Sequence, residues 1–209
     1  PATRRNVAQL EADGRAELVG PVEGPVASGE IGLGRMAEPE TIAAAILARL
    51  QPPDLDGLHL VVSAGPTVED LDPARFLSNR SSGKMGFALA ERAAARGAEV
   101  TLIAGPVSLP TPSRVRRIDV RSALEMRQAL WVALGGEGLG GAAALIMAAA
   151  VADYRPRETL AGKLKRDLSG APLSLELVAN PDLLAELGAA RTGPRPLLVG
   201  FALETLEGE

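Results

Sequence analysis

Cysteine is absent from all 209 residues. That excludes disulfides, thiolate metal sites and cysteine nucleophiles together. Aromatic residues are nearly absent at 2%, so the core has to be aliphatic, and a nucleic-acid surface would lack the flat rings on which bases stack. Histidine occurs once, at His59 near the start of an apolar run, so neither a multi-histidine zinc site nor a Ser-His triad elsewhere is supported, and a structural role is expected. No apolar run is long: the longest, Ala142 to Ala152, falls well short of the roughly 20 residues needed to span a bilayer. There is no basic run either, and 22 Lys and Arg against 26 Asp and Glu give a net charge of −4, so attraction to nucleic-acid phosphates is not expected. The chain opens Pro1-Ala2-Thr3-Arg4-Arg5 without an apolar signal region, which predicts a cytoplasmic protein and a piece of something longer.

What is present is ample apolar material, 46% of residues, in two segments of different character. Residues 1–50 offer a helix over Arg4–Asp13, a Gly/Pro-rich stretch from Gly20 to Gly34, and a second helix over Pro39–Leu50 with Ile42, Ala45, Ile46 and Leu50 at amphipathic spacing. Nothing there makes a self-sufficient core. Residues 51–57, with two prolines and a glycine, read as a linker. From Leu58 strands and helices alternate. Strands are expected at Leu58–Ser63, Glu99–Ala104, Val115–Val120, Ala143–Ala150, Leu173–Val178 and Leu197–Ala202. The helices between them are Lys84–Arg96, stopped by Gly97; Ala123–Leu134, opened by a Ser122/Glu125 capping box; and one capped by Asn180 with Pro181 at its first position. Apolar strands alternating with helices predict a doubly wound, mainly parallel α/β sheet, and such sheets bind ligands where their strands end.

Three loops at those ends carry polar residues: Ser63–Asn79, Ala150–Lys163 and Ala179–Asp182. Gly65 lets backbone amides approach an anion, with Thr67 offering a hydroxyl; equally it serves a tight turn. Ser78-Asn79-Arg80-Ser81-Ser82-Gly83-Lys84-Met85 fails the P-loop pattern twice, at Ser78 and at Met85. What remains is a small-polar turn entering a helix, where Asn79, Ser81 and Ser82 either meet an anion or cap the helix. Asp153 is a candidate hydrogen-bond acceptor or metal ligand, or a turn residue. Lys163, Lys165 and Arg166 form a phosphate clamp or a solvated basic surface. The glycine fingerprint of dinucleotide binding is missing, which counts against an NAD(P)-linked oxidoreductase. A nucleotide-binding or assembly module without a complete catalytic site is a further alternative.

Taken together, Ala64-Gly65-Pro66-Thr67, the run Asp72–Gly86, Gly105–Pro110, Ala149–Tyr154, Lys163-Leu164-Lys165, Asn180-Pro181-Asp182 and Val199–Ala202 resemble the signature of the phosphopantothenate–cysteine ligase family over residues 58 to about 205. Residues 1–50, through Thr3–Val7 and Gly32–Pro39, resemble the tail of the flavoprotein decarboxylase domain that precedes this ligase in bifunctional bacterial proteins. The resemblance implies a Rossmann-like fold and a CTP- and Mg²⁺-dependent ligation of 4′-phosphopantothenate to L-cysteine through an acyl-cytidylate. It implies that Lys163 faces the triphosphate and that Asn79 serves turnover of the intermediate. It also implies that Asp153, Ala179, Asn180, Pro181 and Asp182 bind the nucleotide, with Met147, Ala148 and Ala149 beside them and Phe201 near the base. FMN would belong to the decarboxylase domain ahead of Pro1, and the ligase domains of the family tend to pair as homodimers. Ser28 stands where the family's decarboxylase has a cysteine acid, and a hydroxyl is a far weaker acid than a thiol, which counts against decarboxylation here. A lysine-bearing segment of the family would follow Glu209, which predicts weak or no turnover by these residues alone.

Overall fold

The computed structural model describes residues 2–25, 30–50, 53–165 and 173–203. Ser28, Gln51, Pro52 and Arg166 lie outside them. The chain divides into two units, Pro1–Pro52 and Pro53–Glu209.

In the first unit, α1 (Ala2–Ala12) is followed by an antiparallel hairpin of β1 (Val22–Pro25) and β2 (Ile31–Arg35) and by α2 (Pro39–Leu50). The hairpin occupies the stretch whose glycines and prolines gave no strand signal. Burial is slight: Ala37 is buried, whereas Ile31, Met36, Ile46 and Leu50 are more than half exposed. Of the α2 stripe only Ile42 and Ala45 are half-buried, so the amphipathic face expected from its spacing is largely uncovered.

The second unit contains β3 (His59–Ala64), β4 (Val68–Asp72), β5 (Arg75–Ser78), α3 (Lys84–Ala95), β6 (Glu99–Ala104), β7 (Val115–Asp119), α4 (Ala123–Ala133), β8 (Ala144–Met147), β9 (Tyr154–Pro156), β10 (Leu177–Ala179), α5 (Leu183–Ala190) and β11 (Leu197–Gly200). Five of these strands form one parallel sheet in the order β11-β8-β3-β6-β7. Successive β3 residues point to opposite faces. Leu60, Val62 and Ala64 join Phe87, Ala90 and Ala94 of α3 in one core layer. Val61 joins Met126 and Leu130 of α4 and Leu183 and Leu187 of α5 in the other. The result is a Rossmann-like α/β sandwich, as the alternation predicts.

Several local expectations are corrected. The run Leu173–Val178 does not enter the sheet; only Leu177–Ala179 is a strand, paired antiparallel with β9 in a separate ribbon. Its Leu-Ser-Leu-Glu-Leu-Val alternation would give a strand one apolar face, but no layer among the described residues covers that face, and Leu173, Leu175 and Leu177 are all exposed. Asn180 does not cap the last helix. That cap is Asp182, whose carboxylate accepts from the Ala185 amide at 2.9 Å, while the Asn180 side chain turns back to the Ala152 carbonyl. Ser122 caps α4 as expected by accepting from the Glu125 amide, but Glu125 returns to the amide of Arg121, one residue outside the cap. The expected Ser63–Asn79 loop contains the β4/β5 hairpin, concealed in the sequence by its acidic residues. Residues 53–57 of the expected linker are fastened to the second unit, the Leu55 amide donating to the Arg96 carbonyl and Arg96 pairing with Asp54.

Candidate active site

Reading the five sheet strands in chain order, β3 starts at the centre, β6 and β7 are added on one side, and β8 and β11 on the other. The strand order therefore reverses between β3 and β8, and the crevice beyond their carboxyl ends is where this kind of sheet takes ligands. The two strand ends are stitched together there. The Ala148 amide donates to the Ser63 carbonyl, Ala149 to Ser63 Oγ, Ala150 to the Gly65 carbonyl and Ala152 to Thr67 Oγ1. Ser63 and Thr67 are fully buried, their hydroxyls used as internal struts. Thr67 is thus a scaffold residue whose hydroxyl holds the neighbouring loop.

Helix α3 begins against this crevice because of two glycines. Gly65 and Gly83 have φ of +78° and +73°, and a Cβ on Gly83 would stand 3.3 Å from the Gly65 backbone. Gly83 is the N-cap and no side chain caps the helix; Ser81 Oγ accepts from the Gly83 amide at 3.3 Å and Ser82 Oγ from the Lys84 amide at 3.5 Å. The positive end of the α3 dipole is thereby brought to the end of β3.

Asn79, at the end of β5, donates its side-chain amide to the carbonyls of Ala150 at 3.3 Å and Val151 at 2.9 Å, tying the hairpin to the loop that carries Asp153. Asp153 is exposed, and its carbonyl accepts from the Asn180 amide at 2.7 Å. Arg155 fixes the same turn, donating to the Ala179 carbonyl and to Asn180 Oδ1. Residues 179–182 therefore abut Ala152 and Asp153, although β10 lies outside the main sheet. Met147 pairs with Gly200 across β8 and β11, so Phe201, 53% exposed, emerges at the same strand level as Ala148. Gly65, Met147, Ala148, Ala149, Asp153, Ala179, Asn180, Pro181, Asp182 and Phe201 thus gather at the switch point, with Asn79, Ser81 and Ser82 on the adjoining turn.

Lys163 is carried differently. It is exposed, on a loop fastened to the hairpin: the Leu160 amide donates to the Leu71 carbonyl, Thr159 Oγ1 to the Asp70 carbonyl, and the Leu164 amide to Asp72. Asp72 is buried, and the Leu164 amide, the largest of several donors, holds its carboxyl below the usual 3.8. Arg121 does the same for Asp70 through a bidentate pair at 2.6 and 2.8 Å. Between β4, the start of α4 and β9 this pair borders a groove of about 340 Å³ that also meets Arg155 and Arg157. Asp72, Arg121 and Arg155 were not singled out from the sequence, because their positions are set by pairing across the chain. His59 is structural as expected: Nδ1 donates to the Gly141 carbonyl and Nε2 meets the Thr101 hydroxyl.

The model of the DNA/pantothenate metabolism flavoprotein C-terminal domain matches residues 55–209. The chain belongs to this family. It is 48% identical over 204 residues to the coenzyme A biosynthesis bifunctional protein CoaBC of Haemophilus influenzae, covering 97% of this chain and 49% of the relative. It is 46% identical over 206 residues to CoaBC of Escherichia coli strain K12, covering 98% and 49%. The chain therefore spans about half the length of the curated relatives it matches. Among solved structures it resembles the crystal structure of the C-terminal domain of CoaBC, with a TM-score of 0.60 and 38% identity over 73% of this chain and 68% of that one. The flavoprotein C-terminal domain assignment thus covers the whole of the Rossmann-like unit and the crevice it forms.

Proposed function

We propose that the second unit is a phosphopantothenate–cysteine ligase of coenzyme A biosynthesis, acting in the cytoplasm and using CTP. The observation that carries this reading is the convergence of the family-signature residues on the β3/β8 switch point, a position suited to an anionic nucleotide. The relatives' names as coenzyme A biosynthesis proteins support it.

In the first half-reaction a carboxylate oxygen of 4′-phosphopantothenate attacks the α-phosphorus of CTP. The bond to the β-phosphate oxygen breaks and pyrophosphate leaves. The amine of cysteine then attacks the acyl carbon, its proton is lost, and CMP departs as the carbon–oxygen bond breaks. The start of α3 and the exposed Lys163 ammonium offset the phosphate charge as it redistributes. Asp153 and the 179–182 turn hold the nucleoside, with Phe201 beside the base. Asn79 serves the second step by polarising the acyl carbonyl. To do so it exchanges its bonds to the Ala150 and Val151 carbonyls for one to the substrate, so loop and substrate compete for one amide.

Among the described residues no three His, Asp or Glu side chains gather as a metal cage. That fits Mg²⁺, which commonly arrives on nucleotide phosphates and takes one or two carboxylates from the protein. Of the two exposed carboxylates at the crevice Asp182 is engaged as the α5 cap, which leaves Asp153 to hold Mg²⁺, and bound Mg²⁺ would neutralise triphosphate charge. Nothing among the described residues is assigned to FMN. Pairing of two ligase units, as the family resemblance implies, belongs to the same reading.

The direct assay is pyrophosphate release. It is expected to require CTP, Mg²⁺ and 4′-phosphopantothenate, with CMP appearing only when cysteine is added. Pyrophosphate release that is indifferent to phosphopantothenate would refute the proposal.

A further inference from the structure

The side chain of Asp72 is 1% exposed, and its two oxygens do different jobs. Oδ1 accepts from the amides of Ala74 at 2.6 Å and Arg75 at 2.8 Å, which closes the β4/β5 turn. Oδ2 accepts from the Leu164 amide at 3.0 Å and from Arg75 Nη1 at 3.1 Å. The same Arg75 Nη1 donates to the Leu164 carbonyl at 2.9 Å. Both backbone polar atoms of Leu164 are therefore gripped by one acid–guanidinium pair, from a hairpin 89 residues away in sequence. A turn needs only the Oδ1 half of this arrangement. The Oδ2 half fixes the residue that follows Lys163.

We propose that Asp72, with Arg75, is a positioning residue: it clamps the Leu164 peptide and so sets where the Lys163 ammonium can reach. This rests on the reading of Lys163 as the nucleotide-phosphate cation. An ionised carboxylate is required because every partner of Asp72 is a donor. Asparagine keeps one oxygen for the turn but turns an NH₂ toward Leu164 and Arg75, where only an acceptor fits. Asp72→Asn therefore cuts the loop contact while sparing the turn. A lysine freed from a fixed backbone loses preorganisation and must be ordered on binding.

Two measurements on the chain test this: amide hydrogen exchange at Leu164, and calorimetric titration with CTP and Mg²⁺ of wild type, Asp72→Asn, Lys163→Ala and the double variant. Asp72→Asn is expected to speed Leu164 exchange roughly tenfold or more while leaving the central β3 and β6 amides unchanged. It is expected to weaken CTP binding roughly fivefold when Lys163 is present and by less than about 1.5-fold when it is alanine, the non-additivity of two residues acting as one. Unchanged exchange at Leu164, or equal weakening in both backgrounds, would overturn the clamp alone. Lys163→Ala with wild-type affinity would overturn the assignment of Lys163, and this inference with it. A general loss of protection across β3 and β6 in Asp72→Asn would show a structural role and also overturn the clamp.

Discussion

Lys163 and Asn79 are both exposed, and the proposed reaction gives them different parts. Lys163 stands in solvent on a loop whose backbone is tied down, so its charge is available to a ligand at small conformational cost. Asn79 is committed to two carbonyls of the Asp153 loop. Replacing Lys163 by alanine is expected to weaken CTP–Mg²⁺ binding roughly tenfold or more, since a hydrogen bond to a charged group contributes about 1.5–3 kcal/mol. Asn79→Ala is expected to change that affinity less than about twofold, within the range of replacements that remove no ligand contact, and to depress cysteine-dependent CMP formation instead. Calorimetry and a discontinuous CMP assay separate the two, and the reverse pattern would mean that their roles are exchanged. At this scale the sequence offered Lys163 and Asn79 as candidates. It was silent about their partners, because Asp72, Leu164 and Arg75 meet only after the hairpin and the Lys163 loop come together.

The element that aims the site is α3, and its position depends on close approach. A Cβ on Gly86 would lie 2.5 Å from Ala64 Cβ and 3.0 Å from the Ser63 carbonyl oxygen, so even alanine has to push the helix away from the end of β3. Gly86→Ala is expected to cost about 1–3 kcal/mol in denaturant unfolding, the usual cost of overpacking, and to weaken nucleotide binding as the helix start moves from the crevice. Gly140→Ala, where a Cβ meets nothing within 4 Å, is the control and should stay within about 0.5 kcal/mol of wild type. Equal stability of the two variants would contradict the packing described. Elements with a strong apolar period were legible beforehand: β6 and α2 fall on their expected bounds. The β4/β5 hairpin was not, because Val-Glu-Asp-Leu-Asp is acidic and its burial comes from pairing and capping: Glu69, only 4% exposed, accepts from the Ala123 amide at the start of α4. Leu173–Val178 is apolar enough to pass for a sheet strand, yet only its last two residues join a strand and its leucines stay exposed.

For the molecule as a whole, acid is the sensitive direction. Asp54, Asp70, Asp72 and Glu186 sit below their ordinary values of 3.8 and 4.5, held there chiefly by Arg96, Arg121, the Leu164 amide and Arg127 respectively. Because the folded values are the depressed ones, the stability these groups contribute is present above the ordinary values and is lost as pH falls through the lowered ones. Urea midpoints of the second unit are therefore expected to be nearly flat from pH 7 to about 5 and to drop steeply below about 4, with a shallower acid limb in Asp70→Asn. A midpoint that does not respond to acid would contradict the ion-pair and amide network described. The topology was legible from strand-helix alternation, whereas the switch point needed the strand order that only three-dimensional pairing provides. The measurement that bears most directly on the central claim is a crystal structure of the chain with CTP and Mg²⁺. The triphosphate is expected beyond the carboxyl ends of β3 and β8, near the start of α3 and Lys163, with the nucleoside against Asp153 and residues 179–182. Nucleotide bound elsewhere, or a crevice filled by packed side chains at saturating CTP, would contradict it.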